Sequence, residues 1–363
     1  ETDGYVRILD RLARRACRKQ IARTSTKVPT KQTTFVQLPE VSRFQTRPWS
    51  RGFGTDFYGA LHVAANYCGL SSAPELFPGV WQHGCIPPWQ NVQPEMCIFT
   101  APRGLRCFVA RHDQEVFLRE AGYSKVKAIG LPIVYTQSEG TRRIPGSLLI
   151  MPMHSIPNDQ NSSDSDVYIQ QLTQYLSQFS TVAACISGRC MDSGLWLRHF
   201  QAAGIDVMRG ATIDDATSLA RIRRLCETFE YVTTNTYGSH VPYALYFGAK
   251  VSIWGWSEPL TREYFLRDAL WRLFPDAVDR LVSNETFQAS ETIIGRFRVP
   301  PHFGLVDVSL GSSLIGAENK LTPDELRSAL RWTGVRRLGA ELRRRAWDAT
   351  PWRVQQMILR RSA

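Results

Sequence analysis

Residues 231–254, YVTTNTYGSHVPYALYFGAKVSIW, carry the clearest secondary-structure pattern in this chain. This stretch opens with β-branched residues, passes through a polar turn that contains Gly238, and continues over 241–247 with apolar residues at helical spacing. Residues 250–254 then form a second short apolar run. A strand, a turn, a helix and a strand in this order predict a βαβ unit with parallel strands.

The same alternation of strands and helices extends outward from this unit. Before it we predict strands at 147–152, 181–186 and 205–208, helices at 167–179, 195–203 and 216–229, and a polar loop at 157–166. Nearer the amino terminus we predict a helix at 57–67, a strand ending at 80–84, strand-like runs at 97–99 and 107–110, and a helix at 114–121. From residue 260 onward the pattern is helical. These patterns predict an α/β fold with two Rossmann-like domains, each with a parallel sheet, and a helical C-terminal tail.

The patterns divide the chain into four parts. They are a basic helix and arm at 1–45, an α/β domain at 46–145, a second α/β domain at 146–256, and a helical basic segment at 257–363. The net charge of +11 comes from 44 basic and 33 acidic side chains. Residues 1–35 carry +6 and residues 326–363 carry +8, so the rest of the chain sums to −3.

Basic ends on a near-neutral body favour contact with an anionic membrane surface or a polyanion, rather than a central cleft that binds nucleic acid. The open alternative is that both ends are simply solvated. In the tail, leucine and tryptophan alternate with arginine at helical spacing, as in helices that lie on anionic lipid. An equally open alternative is that these helices pack across the domains and expose their arginines. Thr322 and Thr350, each followed by proline, are predicted to begin helices.

Several classes of protein are disfavoured by the sequence. No stretch approaches the roughly 18 apolar residues of a bilayer-spanning helix, and no secretory signal pattern is found. The eight cysteines form no C-x-x-C pair and no Cys/His set at zinc spacing. Cys85, Cys97, Cys107 and Cys185 sit among apolar residues, as reduced core cysteines do. We therefore expect a cytoplasmic protein, peripheral to the inner face of the cell membrane.

In open parallel sheets, ligands bind outside the carboxyl ends of the strands, so the residues that follow each predicted strand are candidates for a site. The richest set follows the strand at 231–234 and offers hydroxyl, amide and imidazole groups to a phosphate. Its members are Thr234, Asn235, Gly238, Ser239 and His240. The simpler alternative is that Ser239 or Asn235 caps the next helix.

His154 and Ser155 form a shorter set of the same kind after the strand at 147–152. A lone histidine at such a place is as often structural as functional.

Together these strings carry a resemblance. The strand before His154 and Ser155, the strand–helix stretch with Gly204, and residues 231–254 resemble, in this order, the C-terminal half of bacterial glycosyltransferases of the two-domain GT-B architecture. The strings GVWQHG at 79–84 and AIGLPIVY at 128–135 are similar to stretches in transferases of surface-polysaccharide and capsule loci. The resemblance spans about residues 50–256. It implies an acceptor domain at 46–145, a nucleotide-sugar-binding domain at 146–256, and sugar transfer to a glycan or lipid-linked acceptor.

Within this resemblance, His83 is the first candidate for the catalytic base, because it follows a strand in the acceptor half and histidine titrates near neutral pH. Its alternative role is to complete the proline- and tryptophan-rich loop around it. Asp56 is a second candidate base or a ligand of the acceptor; its alternative role is to cap the helix predicted from residue 57. Asp192 and Arg189 fall on the donor side, where the carboxylate is a candidate nucleophile for a retaining reaction or a structural loop residue.

Further arginines are candidate phosphate clamps, namely Arg142, Arg143 and Arg209. The chain departs from common patterns in lacking a clear E-x7-E near the second sheet and a D-x-D at a strand end. Asp164 and Asp166 fall in the predicted polar loop at 157–166 and are expected to be solvated. We therefore expect no metal, no cofactor besides the nucleotide-sugar substrate, and no nucleic-acid partner. The alternatives are a non-catalytic module that binds a nucleotide or polyanion, and a phosphate-ester enzyme without sugar transfer.

Overall fold

The computed structural model describes residues 57–70, 79–98, 101, 103–153, 162–194, 196–213, 215–268 and 271–332. The predicted basic arm, Asp56, His154, Ser155 and the chain after Trp332 lie outside these ranges. The predictions made for those residues stay predictions.

A three-stranded parallel sheet forms the amino-terminal part of the described chain. Its strands lie side by side in chain order. The second and third strands are parallel and are connected by a helix, which makes a βαβ unit. That helix buries Leu118 with Val109 and Val126 of the two strands. The elements are α1 (Ala60–Tyr67), β1 (Gly79–Trp81), α2 (Pro94–Ile98), β2 (Arg106–Val109), α3 (His112–Glu120) and β3 (Val126–Ala128).

A five-stranded parallel sheet follows. It is built from β4 (Ile144–Ile150), α4 (Ser162–Thr173), β5 (Thr181–Ile186), α5 (Gly188–Ser193), α6 (Leu197–Ala202), β6 (Asp206–Arg209), α7 (Ser218–Thr228), β7 (Phe229–Thr234), α8 (His240–Tyr246) and β8 (Lys250–Ile253). The strand order is β6-β5-β4-β7-β8, which is the order of a Rossmann-type sheet. The direction of winding reverses between β4 and β7.

Both faces of the larger sheet are covered, which is why its strands read as continuous apolar runs. The whole of β5 is buried. Leu149 of β4 lies level with Ala183 and Val232, and all three join an apolar cluster with α7 and α8. Leu148 and Ile150 point to the opposite face, where they pack with α4 and α6.

The last described elements are helical, and α12 contacts the parts of the chain that carry both sheets. They are α9 (Arg262–Leu266), α10 (Pro275–Leu281), α11 (Asn284–Ile294), α12 (Val308–Ile315) and α13 (Pro323–Ala329). The carbonyl of Ile315, at the end of α12, accepts from the N–H of Leu131 beyond β3 (2.9 Å). Gly311 lets the same helix approach α8, because a Cβ there would lie 2.8 Å from the carbonyl carbon of Leu245. The largest apolar cluster accordingly draws side chains from both sheets.

The predicted fold class is confirmed, since the structure has two parallel sheets with helices and a helical segment after residue 260. The predicted helix start at Thr322 is also confirmed, with a capping box formed with Glu325. The four cysteines expected in the core are buried, with free thiols. Among the described residues, no helix is long and apolar enough to cross a bilayer.

Two predictions of local structure are wrong. Cys97 and Ile98 end helix α2 and do not form a strand; Pro94 begins that helix, and so short an apolar run cannot distinguish the two states. The predicted loop at 157–166 extends too far, because α4 begins at Ser162 and includes Asp164 and Asp166. Serine and aspartate near a helix start suit the exposed N–H groups there, although they also favour loops.

The helix starts allow a first test of local stability. Ser283 caps α11 by accepting from the N–H of Thr286 (3.2 Å). We expect Ser283→Ala to lower the free energy of unfolding by about 1 kcal/mol, since that N–H loses its partner. In urea titrations the control Ser290→Ala, within the same helix, should change it by less than about 0.5 kcal/mol. Equal losses in the two variants would contradict the role of Ser283.

Candidate functional site

Polar residues gather where β7 ends, beside the end of β4. The N–H of Met151 donates to the carbonyl of Thr233 (2.8 Å), so the pairing continues to the carboxyl ends of both strands. Just beyond, Asn235 accepts from the N–H of Met153 through Oδ1 (2.9 Å) and donates through Nδ2 to the carbonyl of Trp256 (3.2 Å). Asn235 thus ties together the ends of β4, β7 and β8. In Rossmann-type sheets the crevice at this reversal point is where ligands bind.

A hydrogen-bonded polar loop, residues 234–240, connects β7 to α8. Thr234 Oγ1 donates to the carbonyl of Thr236 (3.0 Å), and His240 Nε2 lies 2.8 Å from Thr234 Oγ1. Because the hydroxyl proton is already used, the His240 ring donates from Nε2. A Cβ at position 238 would lie 2.8 Å from the His240 ring, so Gly238 lets the imidazole fold back over the loop.

Two backbone donors of the polar loop are available to a ligand. The N–H groups of Gly238 and Ser239 have no hydrogen-bond acceptor among the residues that the structure describes, and both residues are half-buried. Adjacent N–H groups in a turn suit an anionic group. Ser239 occupies the N-cap position of α8 but makes no capping bond, so the capping interpretation of its side chain is wrong.

The Ser239 side chain instead joins the polar loop to the residues after β1. Its Oγ accepts from the N–H of Cys85 (2.9 Å). Nearby, the Tyr237 hydroxyl lies 3.6 Å from Cys85 Sγ, and the Tyr243 hydroxyl donates to the carbonyl of His83 (3.5 Å). The carboxyl ends of β1 and β7, one from each sheet, therefore meet. The structure places His83 beside the predicted set from Thr234 to His240.

Aromatic rings fix the position of the His83 imidazole. Its ring centroid lies 5.7 Å from that of Tyr58, with 23° between the planes, and 5.1 Å from that of Phe57. Tyr58 is itself held by its N–H, which donates to the carbonyl of Ile213 (2.9 Å), and has a φ of 59°. The half-buried imidazole is thus oriented by a chain segment that precedes both sheets.

The neighbouring thiol is poorly suited to nucleophilic chemistry. Burial raises the pKa of Cys85 to about 11, against the lowering effects of the hydrogen bond with Tyr237 and the charge of Arg111. Burial also raises the pKa of the Tyr237 hydroxyl. Both the thiol and the phenol are therefore neutral near pH 7.

Other predicted residues lie farther from the polar loop. Asp192 is on α5 with 63% of its side chain exposed, and it forms an ion pair with Arg209 at the end of β6. Three strand spacings, about 14 Å, separate β6 from β7. Arg143 donates to the carbonyls of Phe229 (3.0 Å) and Phe247 (2.6 Å), so it holds β7 to the end of α8.

For the remaining candidate site residues, the structure describes only some or none of the atoms. Arg142 is exposed ahead of β4. The backbone of Arg189 lies in α5, but its side chain is outside the description, as are Asp56, His154 and Ser155. The start of α5 is occupied by the protein itself, because the N–H of Gly188 donates to the carbonyl of Ala211 (3.0 Å).

Sequence reasoning missed the aromatic groups around the site, namely Tyr58, Tyr237 and Tyr243. It also missed a cavity of about 550 Å³ beside the end of β8, lined by Tyr175, Trp254, Trp256, Gln171 and other residues. Rings with amide groups suit the flat faces of a sugar or a base. The motif Ile-Trp-Gly-Trp at 253–256, directly after a strand, was the available signal.

No group of three or more His, Cys, Asp or Glu side chains that could hold a metal ion occurs within the described ranges. Asp166 contacts His199, whose Nδ1 lies 2.6 Å from its Oδ1. The side chain of Asp164 lies outside the description.

Comparison with known proteins gives weak similarities. No family model matches the chain, and no curated protein matches it. A solved structure from Listeria monocytogenes, named as a UDP-N-acetylglucosamine 2-epimerase, aligns with 59% of this chain and 56% of its own, at 11% identity and a TM-score of 0.29. The GtfA/B complex aligns over 62% of this chain and 45% of its own, at 13% identity and a TM-score of 0.25. The chain thus spans about half the length of these structures.

Proposed function

We propose that this protein is a glycosyltransferase that moves a sugar from a nucleotide-sugar to a glycan or lipid-linked acceptor. One observation carries the proposal: the hydrogen bond from the Cys85 N–H to Ser239 Oγ, which brings the loop after β1 against the polar loop after β7. A nucleotide phosphate on the polar loop and an acceptor near His83 would then be neighbours. Sugar transfer requires this proximity of donor and acceptor.

The donor phosphate is assigned to the polar loop. The N–H groups of Gly238 and Ser239 would donate to its oxygens, while the Ser239 side chain, which accepts from the N–H of Cys85 and hydrogen-bonds Tyr243, holds the polar loop in place. The negative charge that develops on the leaving phosphate would be stabilised by these fixed donors. The cavity beside β8 would take the base or sugar of the donor.

The acceptor hydroxyl is assigned to His83. A general base must lie within hydrogen-bond reach of the proton it removes, and the half-buried imidazole of His83 lies beside the polar loop that would hold the donor. Stacking on Tyr58 would hold the ring at the edge of the crevice. Asp56 stays an alternative base. The carboxylate of Asp192 forms an ion pair with Arg209, so it would have to leave that guanidinium to act as a nucleophile.

A role in bacterial surface-polysaccharide synthesis is proposed from the sequence resemblance alone. Peripheral attachment to an anionic membrane is proposed from the charges of +6 and +8 at the two ends of the chain. The competing function is a non-catalytic module that binds a nucleotide through the same polar loop.

Donor turnover separates these functions. We expect release of the nucleotide from at least one donor in a panel of UDP-, GDP-, CMP- and dTDP-sugars, and we expect it to persist in EDTA, because the proposed groups need no metal. Replacing His83 with Ala should slow release about 100-fold or more while nucleotide binding is retained. Nucleotide binding without turnover of any donor would favour the non-catalytic module. Activity restored to an EDTA-treated enzyme by manganese or magnesium alone would point to carboxylates such as Asp164 and Asp166.

A further inference from the structure

A second cavity, of about 530 Å³, opens at the end of the smaller sheet opposite the site described above. It lies at the amino ends of β2 and β3, beside the end of α13. Its basic lining residues are Arg106, Lys125, Lys127 and Arg331. Of the lining residues that the structure describes, Glu325 is the single acidic one, so the formal charge of the lining is +3.

The sheet register places three of these cations close together. Cys107 of β2 lies level with Val126 of β3, and Phe108 with Lys127. Arg106 therefore lies level with Lys125, on the face that also carries Lys127 two residues further along. Like charges opposite one another on adjacent strands destabilise a sheet. A bound anion would remove that repulsion.

Hydrogen bonds within the protein orient two of these cations. Arg106 Nη1 donates to the carbonyl of Ala329 (2.7 Å) and Lys125 Nζ to the carbonyl of Gly104 (3.0 Å). Lys125, Lys127 and Arg331 form no salt bridge within the described ranges. Glu325 Oε2 accepts from the N–H and the hydroxyl of Thr322 (2.8 Å each), and these bonds together with the charge of Lys127 lower its pKa, so its carboxylate offsets one of the four positive charges.

The two ends of the sequence carry charge of the same sign as the cavity. Residues 1–35 hold nine basic and three acidic side chains, and residues 333–363 hold eight arginines against Glu341 and Asp348. Net repulsion is therefore expected between either end and the cavity.

We propose that this cavity is a binding site for a phosphate-bearing anion, separate from the donor site. A phosphate group offers several acceptor oxygens and up to two charges, which suits a guanidinium fork together with lysine ammonium groups. The shared chemistry is that of a soluble pyrophosphate or of a phospholipid headgroup. The site lies at the strand ends opposite the polar loop, so its occupation does not depend on the proposed transfer reaction.

The test measures pyrophosphate binding by calorimetry, and co-sedimentation with phosphatidylcholine vesicles made with and without phosphatidylglycerol. The variant Lys125→Gln/Lys127→Gln should weaken pyrophosphate or anionic-vesicle binding about 100-fold, since two charged donors are lost. The control Arg198→Gln/Arg272→Gln removes the same charge from exposed positions elsewhere and should leave binding within about twofold of wild type. Loss in the pyrophosphate arm identifies a soluble anion, and loss in the vesicle arm alone identifies a headgroup.

Thermal unfolding shows whether a loss of anion binding in the lysine variant comes from the site or from a folding defect. Without anion, the lysine variant should unfold at the wild-type temperature or above it, because repulsion is relieved. Pyrophosphate, where it binds, should raise the unfolding temperature of the wild type but not that of the variant. Unchanged binding of both probes by the lysine variant, an equal loss in the control, or no binding to either probe by the wild type would overturn the proposal.

Discussion

Replacing Arg221 with Met is expected to lower the free energy of unfolding by about 3–5 kcal/mol, because it leaves a buried carboxylate without its partner. The Arg221 side chain is 1% exposed and that of Asp215 is 4% exposed, with 2.6 Å between Nη2 and Oδ2. The guanidinium also donates through Nη1 to the carbonyl of Gly210 (2.8 Å). Asp215 further accepts from the N–H (2.9 Å) and the hydroxyl (2.8 Å) of Thr217. This network fixes the loop between β6 and α7.

The pH dependence gives this prediction a second readout. Burial alone would raise the pKa of Asp215, but hydrogen bonds from Thr217 and the charge of Arg221 lower it below its ordinary value. The resulting stability is present above the unfolded-state pKa of about 3.9 and is lost as the pH falls through the lower folded-state value. In Arg221→Met, acid should remove less stability than in the wild type.

Urea titration at neutral and acidic pH measures both effects. The control is Arg262→Met, which breaks an ion pair with Asp279 whose two side chains are about half exposed, and it should cost less than about 1 kcal/mol. A loss in Arg221→Met no larger than in this control would contradict the assignment of a buried, stabilising pair.

Replacing Gly59 with Ala is expected to cost about 2–5 kcal/mol and to disturb the site as well. Gly59 has a φ of 80°, and an added Cβ would overlap the carbonyl oxygen of Ala216 and lie 2.8 Å from its Cα. The free-energy cost of the left-handed backbone and that of the steric overlap add, because neither can be relieved without moving the loop held by Asp215. Tyr58, which stacks on His83, is the adjacent residue and would move with it.

The matched control is Gly140→Ala, since Gly140 has a φ of 69° with no atom near its missing Cβ. It should cost about 1–2 kcal/mol, from backbone conformation alone. Unfolding titrations and donor turnover are measured on both variants. If Gly59→Ala matched the control in stability and kept wild-type turnover, the account of how Tyr58 and His83 are positioned would be wrong.

The sequence predicts the larger sheet well because local patterns and burial agree there. β5 is found at the predicted residues 181–186, since its apolar run is covered on both faces. The strand predicted at 97–99 is wrong at Cys97 and Ile98, because so short an apolar run suits either state and Pro94 begins a helix there. The loop predicted at 157–166 failed in its second part because serine and aspartate suit both loops and helix starts.

The sequence predicts only the part of the candidate site that lies in one continuous segment. The polar loop at 234–240 is recognisable as a polar run with glycine between a strand and a helix. The hydrogen bond between Cys85 and Ser239 joins residues 154 positions apart, and no local pattern encodes such a contact. The same holds for Tyr58, whose left-handed conformation and stacking on His83 depend on Ile213 and on Gly59.

Calorimetric titration of UDP, GDP, CMP and dTDP into the wild type and into Ser239→Ala/His240→Ala tests whether the polar loop binds the donor phosphate. The control, Ser290→Ala/His112→Ala, removes the same side chains away from the crevice, and the fold of each variant is checked by thermal unfolding. We predict that the wild type and the control bind at least one nucleotide and that a folded double variant binds it about 100-fold more weakly. Wild-type affinity in the double variant, or no binding of any of these nucleotides by the wild type, would contradict the assignment of the donor phosphate to the polar loop.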